Sequence, residues 1–383
     1  MNRFFVKANK IFLEETVETD AYIEIIDGIF GDCVKEVSSD AKVIDLGDKW
    51  IGPGLVDTHI HGFKSHDVMD NDAEGIKEMS KGLLSCGVTS FLPTTLTASS
   101  ELLGKVAHTV ASVKDQVEGA KIQGIFFEGP YFTEKHKGAQ NPIYFTHPSI
   151  EEFHEWQTQA GGLINKIALA PEKEGALDFI SQVTAEGVTV ALAHSDATYE
   201  EAKKGVERGG SIFVHTYNGM SGFTHREPGM VGAAMTSKEA YGELICDGHH
   251  VHPKAVEVLV DVKTPDKVAL ITDCMRAGGM PEGHYHLGEF PVEVKDGAAR
   301  LESNGSLAGS VLQLIEGVRN VVDWNVATVF DALKMGSLVP AKSVGIDDVC
   351  GSIKKGKPAD FIVLNKDLEL LATYLDGEQK YSK

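Results

Sequence analysis

The sequence is short of cysteine, of basic charge and of long apolar runs, and each shortage removes a class of function. Its five cysteines, Cys33, Cys86, Cys246, Cys274 and Cys350, are scattered with no C-x-x-C pair. That argues against a disulfide framework and fits a reducing cytoplasm. Lysine and arginine number 36 against 56 acidic residues, a net charge of −20. A chain this acidic lacks the basic surface that nucleic acid requires, and an anionic substrate must be met by locally placed cations. No apolar run reaches the roughly 18 residues of a membrane-spanning helix. The opening MNRFFVKANKIFLEE has no apolar core after its charges, so neither a membrane partner nor a secretory leader is expected. Low-complexity linkers and short tandem repeats are also missing.

What the chain does have is an ordinary globular composition, 42% apolar and 24% charged over 383 residues, enough for one large domain and a smaller one. Strand-like runs alternate with helix-like runs. The strand candidates are GLVDTHI from Gly54, VTSFLPT from Val88, KIQGIFFE from Lys121, KIALAPE from Lys166, VTVALAH from Val188, SIFVHT from Ser211, ELICDG from Glu243 and KVALITD from Lys267. Most are continuous rather than alternating, the pattern of parallel strands buried on both faces. Helical spacing appears between them, as in AEGIKEMSKGLLSCG from Ala73, EGALDFISQVTAEG from Glu174 and EEAKKGVERGG from Glu200, the last closed by glycine. Eight such pairs predict an α/β fold, a TIM-like (β/α)8 barrel over 54–346; a doubly wound open sheet is the alternative. The ends differ. RFFVKANKIF, AYIEIIDGIFG and AKVIDLGDKWI at the start, and the tail from Gly351, read as short strands and turns. They predict a small β-sandwich domain built from 1–53 plus 347–383, because chain termini often lie close together.

In a barrel of this kind chemistry sits at the C-terminal ends of the strands, and six polar residues occupy such ends. His59 and His61 lie two apart in GLVDTHIHG, so on a strand they point to one face, about 6–7 Å apart along it. Glu128 follows IFF, His194 follows VALA, His215 follows IFV, and Asp273 follows ALIT. Any one of these alone is more often a loop cap or a hydrogen-bonded polar contact. Six at corresponding ends converge on one mouth. Four histidines and two carboxylates suit a divalent metal, Zn²⁺ first, with Fe²⁺, Mn²⁺ or Co²⁺ as alternatives.

These stretches, together with EGP after Phe127, KGAQNP from Lys137, HTYNGM from His215, REPGMVGAA from Arg226, DGHHVHP from Asp247, LITDCMRAGG from Leu270, SLAGS from Ser306 and the closing GSIKKGKPADFIVL, resemble the amidohydrolase superfamily. Within it they resemble the N-acetylglucosamine-6-phosphate deacetylase family, over nearly the whole length. The His-x-His alone points only to the superfamily; EGP, HxYNxM and REPG are more specific. The resemblance implies a cytoplasmic hydrolase of amino-sugar metabolism that takes the acetyl group from N-acetylglucosamine 6-phosphate, leaving glucosamine 6-phosphate and acetate. It implies that Glu128, His194 and His215 bind one metal with a position open for water, and that His59 and His61 hold a second, with Glu128 bridging. Many amidohydrolases use a carboxylated lysine on strand four instead; KIALAPE offers no lysine at its end. Asp273 is then the general base and acid for attack by metal-bound hydroxide, with no acyl-enzyme.

The resemblance also assigns the substrate. Arg226 matches the family's phosphate-binding arginine, a residue that a homodimer can supply across its interface. His250, Asn218, the Gly219 backbone, and Leu307, Ala308 and Gly309 of SLAGS match substrate contacts. Gln140 departs from the family, which often reads G-T-H-N-P where this chain reads GAQNP; a glutamine can donate a hydrogen bond but cannot carry charge. Two alternatives stay open: another N-acetyl sugar phosphate such as N-acetylgalactosamine 6-phosphate, and a catalytically inert barrel used for binding. The second is expected to have lost ligands, and all six strand-end positions keep competent side chains.

Overall fold

The structure, a computed structural model, describes residues 2–383. Eight parallel strands form its centre: β1 (Leu55–Ile60), β2 (Val88–Thr95), β3 (Ile125–Tyr131), β4 (Ile164–Leu169), β5 (Thr189–Leu192), β6 (Gly210–Phe213), β7 (Tyr241–Ile245) and β8 (Val268–Ile271). Each pairs with the next in chain order. The ring closes just beyond β8, where the Asp273 N–H donates to the His59 carbonyl and the His61 N–H to the Cys274 carbonyl, both at 2.9 Å. The Asp57 carboxylate adds a 2.6 Å bond from the Thr272 hydroxyl. The TIM-like barrel expected from the sequence is therefore present, and the open sheet is excluded.

The strands are continuous apolar runs because helices cover them. In the helix Ala73–Leu83, Asp72 caps the first turn, and Ile76, Met79 and Leu83 are buried on one stripe. In the helix Tyr199–Glu207, Thr198 and Glu201 form a reciprocal capping box. Both helices fall where the sequence spacing predicts them.

The chain ends build a separate sheet. The strands Arg3–Phe12, Val17–Ile26 and Ile29–Val34 are hydrogen-bonded in series, and Trp50–Pro53 joins the other side of Arg3–Phe12. The tail strand Phe361–Leu364 pairs antiparallel with Trp50–Pro53, and Leu370–Leu375 and Glu378–Ser382 follow. Its core comes from alternating inward residues such as Val6, Ile23, Ile25, Phe361 and Val363; Phe361 stacks on Tyr374 at 4.3 Å. At the seam with the barrel, Lys121 reaches the carboxylates of Asp360 and Asp376 at 2.9 and 2.7 Å.

One element was not anticipated. After β8 the chain makes an antiparallel three-stranded sheet, Gly283–Leu287, Phe290–Lys295 and Ala298–Leu301, and this flap reaches over the barrel mouth. Among the described residues, no helix is long and apolar enough to cross a membrane.

Candidate active site

The strand ends deliver the six side chains to one point. His59 and His61 project together from β1, as the two-residue period requires; their Nε2 atoms are 3.3 Å apart. Glu128 from β3 stands between the two pairs of histidines. Its Oε1 lies 3.3 Å from His194 Nε2, 3.2 Å from His215 Nε2 and 3.5 Å from His59 Nε2. Its Oε2 lies 3.3 Å from His61 Nε2. Asp273 Oδ1 completes the ring, 3.0 Å from His61 Nε2 and 3.3 Å from His59 Nε2. His194, His215 and Asp273 all take the left-handed backbone conformation, with φ of 44°, 33° and 49°. For a residue with a Cβ this costs about 1–2 kcal/mol, and such strain collects at functional sites. It turns each side chain off its strand and into the mouth.

The donor atoms of Glu128, His194 and His215 all fall within 4.8 Å of one another, and so do those of His59, His61 and Glu128. These residues fit a divalent cation better than they fit each other. His194 Nε2 and His215 Nε2 face one another at 3.2 Å, while their Nδ1 atoms lie 2.8 Å from the His136 carbonyl and 3.0 Å from the Asn218 carbonyl. With Nδ1–H donated there, both Nε2 lone pairs point inward at a carboxylate, an arrangement that calls for a shared positive centre.

Charge in the cluster says the same. Burial alone would raise Glu128, but the imidazoles around it, His59 foremost, hold it well below its ordinary value. Burial opposes charge on His59, yet Asp273 and Glu128 push that imidazole up to about 9. His61 is raised for the same reason. Asp273 is held below the usual carboxylate range, His59 and His61 overcoming its burial. Two buried carboxylates thus draw protons onto the histidines where a divalent cation would serve instead.

The cluster floors a cavity of about 410 Å³, within the usual range for small-ligand sites. Of the other residues expected to touch substrate, Gln140, Asn218, Gly219, His250, Leu307 and Gly309 line it. Gly219 sits against His194: a Cβ there would stand 2.8 Å from His194 Nδ1. The His250 ring is fixed by Asp247, 2.6 Å from Nδ1. Gln140 is tied at both ends, its amide donating to Glu128 Oε2 at 2.6 Å and its carbonyl accepting from the Thr97 N–H at 2.9 Å. Two residues lie elsewhere. Ala308 is buried behind the cavity, packed with Met275 and Leu287. Arg226 is exposed and does not line the cavity, so within one chain it meets none of the cluster.

Two features escaped the sequence reading. Arg300 and Leu287 of the flap line the cavity; the Asp-Gly turn at Asp296–Gly297, both with positive φ, was a hairpin signal that could have found that flap. Lys166 and Glu243 are charged residues inside the apolar runs of β4 and β7, and both are fully buried. Lys166 is held by Glu243 at the start of β4, away from the strand end.

Comparisons with known proteins show the family to which the chain belongs. The sequence model of the Amidohydrolase family matches residues 50–380. An N-acetylglucosamine-6-phosphate deacetylase from Vibrio furnissii is 42% identical over 338 residues, covering 88% of this chain and 84% of its own length. An N-acetylgalactosamine-6-phosphate deacetylase from Escherichia coli O157:H7 is 37% identical over 97% of this chain and 98% of its own. Among solved structures, a substituted N-acetyl-D-glucosamine-6-phosphate deacetylase from Mycobacterium smegmatis, in complex with N-acetyl-D-glucosamine-6-phosphate, superposes over the full length of both chains with a TM-score of 0.94 at 26% identity. The chain belongs to the amidohydrolase family and, within it, to the N-acetylglucosamine-6-phosphate deacetylases.

Proposed function

We propose that this enzyme hydrolyses the acetamide of N-acetylglucosamine 6-phosphate to glucosamine 6-phosphate and acetate. The observation that carries the reading is the convergence of Glu128, His194 and His215 on one point, with Asp273 beside it at the floor of a cavity. Glu128, His194 and His215 would hold one divalent cation, best Zn²⁺ for this donor set, with Fe²⁺, Mn²⁺ or Co²⁺ as alternatives. His59 and His61 would hold a second, with Glu128 between the two. Such a cation supplies Lewis acidity toward water and the amide carbonyl.

The chain's own residues do the rest. Asp273 accepts a proton from the attacking water as the C–O bond forms. It returns that proton to the nitrogen as the C–N bond breaks, so the sugar leaves as a neutral amine. One water is consumed, and no acyl-enzyme forms. Cys274, the thiol nearest this chemistry, is buried, and burial pushes its pKa well above the ordinary value, so it is no nucleophile. Gln140, engaged at both ends, holds Glu128 Oε2 in place. His250, Asn218 and the Gly219 backbone receive the sugar and its phosphate. Arg226 completes the phosphate site from the partner subunit of a homodimer, which accounts for its position outside the cavity of its own chain. A cytoplasmic setting suits the five unpaired cysteines.

The second reading is N-acetylgalactosamine 6-phosphate, favoured by the full-length match to the Escherichia coli O157:H7 relative. Acetate release from the two phosphorylated sugars and from unphosphorylated N-acetylglucosamine decides. The leading reading requires the highest kcat/KM for N-acetylglucosamine 6-phosphate. A clear preference for the galactose epimer would transfer the assignment to the second reading, and equal rates with and without phosphate would exclude both.

A further inference from the structure

Lys166 and Glu243 form an ion pair in the interior of the barrel, beneath the mouth. Neither has any accessible surface. Lys166 Nζ donates to Glu243 Oε1 at 2.5 Å and to the Thr58 carbonyl at 3.3 Å, and it stands 3.8 Å from the centre of the Phe126 ring. Barrel interiors are ordinarily filled by branched apolar side chains. Replacing a buried ion pair by apolar residues of similar volume is often neutral or stabilising. Stability is therefore a poor reason for these two charges.

A second observation supplies a better one. Glu243 Oε2 has no hydrogen-bond partner, and neither does His59 Nδ1. The two atoms face one another at 3.7 Å. The other three histidines of the cluster direct Nδ1 at backbone carbonyls, those of Thr94, His136 and Asn218, at 3.2, 2.8 and 3.0 Å. His59 alone faces a carboxylate. A histidine that gives its second N–H to a carboxylate is fixed in one tautomer and is a more basic ligand.

We propose that Glu243, held and charge-balanced by Lys166, is a positioning residue for His59, and that it selectively strengthens cation binding on the His59–His61 side of the cluster. Lys166 occupies one carboxylate oxygen and leaves the other aimed at Nδ1. A shift of a few tenths of an ångström closes that gap to a hydrogen bond, with His59 Nε2 turned toward the mouth. Glu243 meets neither substrate nor the reacting atoms; it acts through the imidazole. The proposal rests on the cation reading given above.

The test is metal affinity, read without turnover. Wild-type, Glu243→Gln, His59→Asn and His194→Asn proteins are stripped of metal and titrated with Zn²⁺ against a chromophoric chelator, with elemental analysis after dialysis. The visible spectrum after Co²⁺ loading reports the ligand field. Glu243→Gln should weaken by about 10–100-fold the same ion that His59→Asn weakens. It should leave the ion that depends on His194 at its wild-type affinity. If Glu243→Gln does not fold, Lys166→Met combined with Glu243→Gln leaves no lone buried charge and carries the same expectation. Unchanged affinities, or an equal loss for the ion that depends on His194, would overturn the inference. A wild-type chain that binds no divalent ion would instead sink the cation reading itself, so the two failures are distinguishable.

Discussion

The barrel mouth and the sheet made by the chain ends bury their residues for opposite reasons. In the end sheet, the buried positions are apolar partners such as Ile23, Phe361 and Val363, and each is accounted for by packing. At the mouth, His59, His61, Glu128, His194, His215 and Asp273 are all buried, yet each costs desolvation, and three of them hold an unfavourable backbone conformation. Folding alone would have placed apolar residues there. Burial that works against stability marks chemistry, and burial that works for it marks scaffold.

Substitutions should divide along the same line. The largest effect belongs to the mouth: Asp273→Asn should lower kcat by about 10²–10⁴-fold, while bound metal and thermal stability stay near wild type. Loss of folding rather than of turnover would blur the distinction. In the end sheet the opposite holds. Phe361→Ala should cost about 3–5 kcal/mol of stability, read by denaturant unfolding, with kcat per folded molecule unchanged; a direct fall in kcat would give that sheet a catalytic part. Arg226→Ala tests a surface that belongs to neither region within one chain. It should lower kcat/KM for the phosphorylated sugar by roughly 10–150-fold, the equivalent of one charged hydrogen bond, and change the unphosphorylated sugar little. Equal losses on both would remove its phosphate role. The smallest effect is expected at the seam. Lys121→Met should cost about 1–2 kcal/mol, below the 3–5 of a fully buried pair, because the Lys121 side chain keeps 28% of its exposure.

The same contrast decides what could be read from the sequence. Parallel strands covered on both faces are continuous apolar runs, so a histidine or carboxylate at the end of one stands out. All eight strands and all six mouth residues were legible for that reason. The end strands showed their texture but not their pairing, since the contact of Phe361–Leu364 with Trp50–Pro53 joins segments at opposite ends of the chain. Lys166 and Glu243 were hidden because each alone reads as a polar strand start; only their meeting inside the ring gives them meaning. The flap alternates exposed and buried residues over very short strands, a pattern that the neighbouring turns mask. Arg226 was assigned by motif alone, and nothing within one chain brings it to the cavity.

The central claim is that the convergent imidazoles and carboxylates work through a divalent cation. The direct measurement is acetate release from N-acetylglucosamine 6-phosphate by protein stripped with a chelator, with metal content determined on the same sample and Zn²⁺ then restored. The account predicts that activity falls in step with metal content and returns when the ion is added back. Full acetate release from a sample holding far less than one ion per chain would contradict it.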